Sequence, residues 1–520
     1  MRNIQQVNHK HARTRPGTVL LRRAAGIAFL VCASVAAGPL DPPPPERVRE
    51  AQAIVRDMQS AERGPYTRIR WFCNDGTVHP PTPYACKDRG GGRQHAEYSP
   101  ARERLAELGW NVGTIVAALD WQALWRDDER RLRLRELPVE RYLVDVDDGW
   151  VLRRARHYRG RVQVEGEEKQ GRKLLVQLMS QADWISGNFL VAAEVVRVVP
   201  HGTGEDLTRS IRRTAQDIAE KDKSFERLRV EIHSVPTAAS AERVRAWMAA
   251  GDRSPELLKE ATELARELDR LFGSAGRKER LAAARKRLAR FALAEPVVKR
   301  LQSVDGEDEL SKLERLGDVM YSVRGLIADK SATPTLRLEL FDLLRELEAE
   351  LRVLSAGDNF AASRSRAELA RAARALARAA YGTGLFSGGE LSALSHALAP
   401  LVDGGEIPLP DYIRATRSLT LAGTWAVGSV RYAFADVLVR YAALEPRAAY
   451  FVDDLLRGSV LLPLAGVGGR LSADAQRLAG VRRQVFGSAA SDLVALNPGL
   501  ARGPLRVLSE KDMAAEPLPV

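Results

Sequence analysis

The sequence predicts a mainly α protein, in which a mixed α+β N-terminal module precedes an irregular helical bundle. Three observations predict it. The 520 residues are 45% hydrophobic and 28% charged, and Arg, Ala and Leu dominate, a globular composition suited to helices. From about Ser254 onward, apolar residues recur at helical spacing. Before that point, short alternating segments and turn signals mark strands among helices. The length is enough for two to four domains with real cores.

The chain opens on a leader. Ala24 to Ala37 is uncharged and apolar, follows Arg22-Arg23 and ends in small residues. A basic segment, a short apolar run and a small-residue exit describe a secretory signal peptide over residues 1–37, which predicts export to the periplasm. An uncleaved anchor is the alternative, and it is the only membrane contact the sequence suggests. Residues 38–46 include DPPPPE, read as a stiff proline-rich linker.

Residues 47–240 read as the α+β module. A helix is expected from about Arg47 to Ser60. Gly90-Gly91-Gly92 reads as a loop, and Ser99 with Pro100 as the cap and first turn of a helix. Asp148-Gly149 lies between apolar segments of Leu143 to Leu152 and predicts a hairpin. LRVEIH, Leu228 to His233, alternates like a strand.

Residues 250–490 read as the helical domain. Ser254 and Pro255 start one helix, whose apolar face runs from Leu257 to Phe272. A second follows a Gly-Ser-Ala-Gly break, and Leu310, Leu313, Leu316, Met320, Val323 and Ile327 mark a third. Pro334 opens a fourth, Arg364 to Ala380 forms a fifth, and Ser387 with Glu390 caps a sixth. Asp411 to Leu444 holds one or two more, stopped by Pro446. No fixed repeat period appears, which argues against a solenoid.

The net charge of +12 does not imply nucleic-acid binding. Half of it sits in the leader, which has six basic residues and no acid before Asp41. Elsewhere Arg and Glu alternate, as in LLRELEAELRVL, which reads as a solvated helix face rather than a phosphate-tracking stripe.

Chemistry-bearing residues are few. Cys73 and Cys86 flank a loop rich in proline and turn residues, in RIRWFCNDGTVHPPTPYAC, with Trp71 and Phe72 as expected packing groups. In an oxidising compartment they are a candidate disulfide, and closing that loop would stabilise the fold by roughly 3 kcal/mol. The alternatives are unpaired structural thiols, redox chemistry, or a zinc site completed by His79 and His95, which lacks the close cysteine pair usual in zinc modules. His396 follows Gly388-Gly389 in a segment faintly like a phosphohistidine motif, but the spacing to Ser395 is too long and the pattern is that of an amphipathic helix. The glycine clusters YGTGLFSGGE and AGVGGR do not match a P-loop, and no catalytic constellation or metal motif is evident. No catalytic, cofactor-binding or metal residues are therefore assigned.

Two stretches carry a resemblance. RIRWFCNDGTVHPPTPYAC with GGGRQHAEYSPARERLAELGW resembles the N-terminal region of bacterial PEP/pyruvate-binding proteins, relatives of phosphoenolpyruvate synthase and pyruvate phosphate dikinase. LNPGLARGPLRVL, Leu496 to Leu508, looks like the entry into their swivelling phosphohistidine domain, and FVDDLLRGSVLLPL is similar to the region before it. The resemblance implies that residues 491–520 are the truncated start of that domain. The phosphohistidine and the ATP-binding domain would follow it, so ATP and magnesium are implied only for missing downstream domains. His396 lies upstream of the entry, in the wrong order for the transfer histidine. The expected function is thus that of an exported, non-catalytic N-terminal portion of a phosphotransfer protein. Its partners would be the missing catalytic domains or a chain encoded downstream. A stand-alone periplasmic binding or scaffold protein is the alternative.

Overall fold

Segments rich in Ala, Leu and Arg bury one face each, and the protein stacks those faces into layers of helices. In the computed structural model the chain divides into two units, Met1–Asp41 and Pro42–Val520, and everything described below belongs to the second. The structure describes residues 43–467 except 62–63, 81, 83–84, 127–130, 144–160, 203–204, 235, 303–307, 356–363, 404–407, 462–463 and 465–466. The leader, the hairpin expected at Asp148-Gly149 and the segment from Leu496 to Leu508 lie outside the described residues.

Helix α1, Pro45–Ser60, begins inside the proline run. Pro44 is its N-cap at φ −52° and ψ 136°, and Pro45 sits in the first turn, where a missing N–H costs nothing. The expected linker therefore ends two residues earlier than its sequence suggests. Strands β1 (Tyr66–Cys73), β2 (Val78–His79) and β3 (Gly92–Tyr98) form an antiparallel sheet in the order β2-β1-β3. Trp71 is opposite His79, Cys73 opposite Gly92, and a bulge separates Tyr66 from Arg68. Trp71 packs with Cys73 and Cys86, while Phe72 stays half-buried.

Among the described residues these are the only strands before residue 240; the rest of the N-terminal module is helical. It comprises α2 (Pro100–Glu107), α3 (Trp121–Arg126), α4 (Leu132–Arg141), α5 (Arg161–Met179), α6 (Ala182–Gly187), α7 (Phe189–Val198), α8 (Glu205–Lys221), α9 (Glu226–Ser234) and α10 (Ala238–Ala249). Ser99 caps α2 as expected, accepting from the amide of Arg102 at 3.1 Å. The strand expected at LRVEIH is instead helix α9. Arg229 and Ile232 are buried positions of this helix, three apart, and Phe225, just before it, continues the same face at a spacing of four, so the helical period overrides the local alternation.

The next helices are α11 (Pro255–Phe272), α12 (Ser274–Leu288), α13 (Glu295–Gln302), α14 (Glu309–Ala328) and α15 (Pro334–Ser355). They are followed by α16 (Arg366–Thr383), α17 (Gly388–Val402), α18 (Leu409–Leu444) and α19 (Phe451–Arg457). Ser254 caps α11, and the box of Ser387 and Glu390 caps α17. The stretch from Asp411 to Leu444 lies in one helix, Leu409–Leu444, of 36 residues and about 54 Å. Helices α8 to α11 share a satellite core around Phe225, Leu264 and Leu268, and the remaining helices share the main one.

The alternating Arg–Glu segments are not all solvated. In α15, Glu339, Glu348 and Glu350 are 2%, 5% and 6% exposed. They face α12 and α7, not water. Arg277, Arg280 and Arg287 of α12 bond Glu350, Glu346 and Glu339 at 2.8, 2.7 and 2.7 Å, an antiparallel ladder of ion pairs between two helices. Other arginines cap chain ends. Arg337 is buried and donates to the carbonyls of Ile327, Met179 and Asp329 at 2.8–2.9 Å. A guanidinium can satisfy several orphan helix carbonyls at once, so much of the arginine content is structural. The ERLAELGW segment does keep the expected solvated character, with Arg104 paired to Glu50 and Glu107 at the surface.

Residues 110–117 tie together parts of the chain that are far apart in sequence. Trp110 is 1% exposed and its indole donates to the carbonyl of Arg440 on α18 at 2.9 Å. Glu136 accepts from Asn111 and Arg133 at 2.9 Å and faces Arg440 at 3.3 Å. Glu140 accepts from the Thr114 hydroxyl at 2.6 Å, and Glu167 of α5 from the amides of Val116 and Ala117 at 3.1 and 3.2 Å. The sheet contributes Tyr66, whose hydroxyl donates to Gly113 O at 2.8 Å. An irregular segment without strand or helix partners must have its backbone satisfied by side chains, and here Tyr441, Arg102, Tyr66, Glu140, Tyr98 and Glu167, from six elements, supply them.

Candidate functional site

The residues singled out from sequence fall in three separate places. Cys73 and Cys86 form a disulfide, with Cα atoms 5.3 Å apart. Both are buried, and the bond pins the turn after β1 to the triglycine loop: a Cβ on Gly92 would stand 2.5 Å from the Cys86 sulfur. The same sulfurs are thereby not thiolate ligands. His79 is half-exposed, its Nε2 2.8 Å from the Thr77 hydroxyl, and His95 lies on β3 opposite Arg70. Among the described residues no group of three or more His, Cys, Asp or Glu is placed to hold a metal. His396 is exposed on α17, whose buried face is Leu391, Leu394 and Leu398. Replacing both Cys73 and Cys86 with serine is expected to cost about 3 kcal/mol. Amide exchange should accelerate in β1 and β2 while the amides of α14 and α16 stay protected; uniform acceleration would contradict a local staple.

A different cluster has the chemistry. Helix α7 reads FLVAAEVVRV, an apolar run holding Glu194 and Arg197 three residues apart on one face. Helix α15 presents Asp342, Arg345, Glu348 and Arg352, spaced at three and four residues, toward it. After α7 the chain turns through Val199, Pro200 and His201 and crosses α5 at Gly171, where any Cβ would collide with the carbonyl of Pro200. Glycine there lets the segment lie close enough to bury His201, which is 2% exposed.

The contacts are short. His201 Nδ1 lies 2.7 Å from the carbonyl oxygen of Val199, and its Nε2 2.9 Å from Asp342 Oδ1. Arg197 donates to Glu348 at 2.8 Å and approaches Glu194 at 3.3 Å. Arg345 lies 3.9 Å from Asp342 Oδ1. A cleft of about 20 Å³, room for about one water, is lined by Arg197, Phe341, Asp342, Arg345, Glu348 and Thr383. Burial pushes the Glu194 carboxyl up to about 7, against the pull of Arg197 and with help from Glu348. Burial likewise lowers the Arg352 guanidinium to about 10, opposed by Glu348 and reinforced by Arg197. The arrangement can hold and exchange protons. Sequence reading passed over His201; the available signal was Glu194, an acid inside a helix otherwise apolar but for Arg197.

Glu194 sets a pH dependence. The folded protein keeps its proton to about pH 7, whereas the unfolded chain loses it near 4.5. The associated stability is present below the lower value and lost as pH rises through the upper one, a loss on the order of 2–3 kcal/mol between pH 5 and 8. Glu194→Gln should therefore raise urea stability at pH 8 and change it little at pH 4; equal effects at both would contradict this assignment.

Compared with known protein families, curated proteins and solved structures, the chain matches none.

Proposed function

We propose that the chain is an exported, non-catalytic helical platform, the N-terminal portion of a phosphoenolpyruvate synthase-like or pyruvate phosphate dikinase-like phosphotransfer protein. The observation that carries the non-catalytic part is how the buried charges are used. Glu136, Glu140, Glu167, Glu339, Glu348 and Glu350 each tie one helix to another element through arginine or backbone amides. Side chains so engaged rigidify a support rather than wait for a substrate. The buried disulfide supports the exported part, since such bonds persist in oxidising compartments. No helix among the described residues is long and apolar enough to cross a membrane. The kinship rests on the two sequence stretches around Cys73–Cys86 and Leu496–Leu508. On this reading ATP, magnesium and the phosphohistidine belong to domains beyond this chain, which the platform positions.

A stand-alone scaffold is the second reading, favoured by one surface. Tyr432 and Val439, seven residues apart on α18, are 68% and 52% exposed. The two readings share a test of activity. The purified chain incubated with ATP, magnesium and pyruvate should form no acid-labile phosphohistidine, and formation by this chain alone would sink the non-catalytic reading. Restoration of transfer by adding a separately expressed downstream segment favours the platform; its failure, with a stable complex formed elsewhere, favours the scaffold.

A further inference from the structure

We infer that the joint between α7 and α15 is a buried proton-binding site, in which His201 and Asp342 together hold one proton in the folded protein that the unfolded chain releases near neutral pH. Each imidazole nitrogen points along a single direction, and each of the two directions at His201 ends on an oxygen. The carbonyl of Val199 accepts and cannot donate, so Nδ1 carries a hydrogen. Asp342 Oδ1 faces Nε2 at 2.9 Å. A bond there needs a hydrogen on Nε2, giving imidazolium and carboxylate, or on Asp342, giving two neutral groups. Either state contains one proton more than a neutral histidine beside an ionised aspartate. Without that proton, a nitrogen lone pair and a carboxylate oxygen would face each other inside a site only 2% exposed at both residues.

The neighbours are mixed in sign. Helix α7 offers Glu194 and Arg197; α15 offers Arg345, Glu348 and Arg352; α5 offers Glu168, whose carboxylate lies beside Gly202. Arg345 favours the ionised aspartate, and the acids favour the imidazolium, so the charged form of the pair is the better matched. Asp342 also lines the cleft, which gives water a route to the proton although His201 itself is covered. The joint therefore senses pH. A histidine with a raised folded value stabilises fully below the unfolded value of about 6.5, and its contribution is lost as pH rises through the folded one. Losing the proton turns an attractive contact between the segment after α7 and α15 into a repulsive one.

The test uses the full chain labelled with ¹⁵N-histidine, with His201 assigned among the eight histidines by its loss in His201→Asn. In the folded protein both ring nitrogens should give the signals of proton-sharing, hydrogen-bonded nitrogens through about pH 8, with no midpoint near 6.5. A free-base Nε2 signal at pH 7 overturns the proposal. A second measurement covers the outcome that His201→Asn does not fold. Asp342→Asn can donate to a neutral His201, so it keeps the pair and removes the extra proton. Between pH 7 and 9 the folding constant of the unaltered protein should fall by up to tenfold more per pH unit than that of Asp342→Asn. Equal slopes would refute the trapped proton.

Discussion

Glu136→Ala is expected to lower the stability of the protein by about 3–5 kcal/mol, a large part of the 5–15 kcal/mol typical of a folded chain. Glu136 is 2% exposed and is the shared acceptor for Asn111, Arg133 and Arg440. Removing it leaves the Arg133 guanidinium, itself 11% exposed, with Glu140 at 3.6 Å as its nearest remaining carboxylate. The cost is that of a buried charge stripped of a partner, which exceeds what the pair contributes when intact. The loss also reaches three separate parts of the chain: Asn111 belongs to the irregular segment, Glu136 to α4 and Arg440 to α18. Urea unfolding should show the drop in midpoint, and the amides of residues 110–117 should lose protection first. Glu136→Gln, which keeps an accepting oxygen, should cost about half as much. A change below about 1 kcal/mol for alanine would mean these charges are solvated and the junction is held by packing alone.

Much of the fold was legible because its signals are local. Capping residues and periodic leucines at Ser254, Ser387 and Leu310 to Ile327 located helices that the structure contains with little change of boundary. The errors share one cause, which is that burial is not a local property. LRVEIH alternates over six residues, yet its own Arg229 and Ile232, with Phe225 before them, make a buried helical face. LLRELEAELRVL has the charge pattern of a solvated helix, yet its acids are covered because α12 places arginines opposite Glu346 and Glu350 and α7 places Arg197 opposite Glu348. The disulfide was legible as one of several options because it depends on a short loop. The pair of His201 and Asp342 was not, because 141 residues separate them and neither sits in a motif. Convergent clusters of this kind arise from helix packing, and a single sequence carries only their fragments, such as an acid in an apolar helix.

The contact between α14 and α16 yields the other large effect. Helices α14 and α16 run in the same direction, as the successive pairs Glu314–Arg371 and Asp318–Arg378 require. Between them the small residue Ala375 faces Gly317 and lets the backbones approach. A Cβ on Gly317 would stand 2.5 Å from the carbonyl oxygen of Ala375, and one on Gly382 would stand 2.7 Å from that of Met320. Backbone cannot rotate aside as a side chain can, so the helices would have to separate along a fully packed seam. Gly317→Ala should therefore destabilise by about 2–3 kcal/mol despite the better helix propensity of alanine. Gly325 is the internal control, on the same helix with nothing within 4 Å of its own Cβ position. There Gly325→Ala should stabilise by about 1 kcal/mol, since only the propensity changes. One substitution type at two positions of one helix thus gives opposite signs, and thermal or urea unfolding reads both. If both variants gained stability, the approach of α14 to α16 would be looser than these distances state, and the layer that carries the main core would not be the rigid seam on which the platform reading depends.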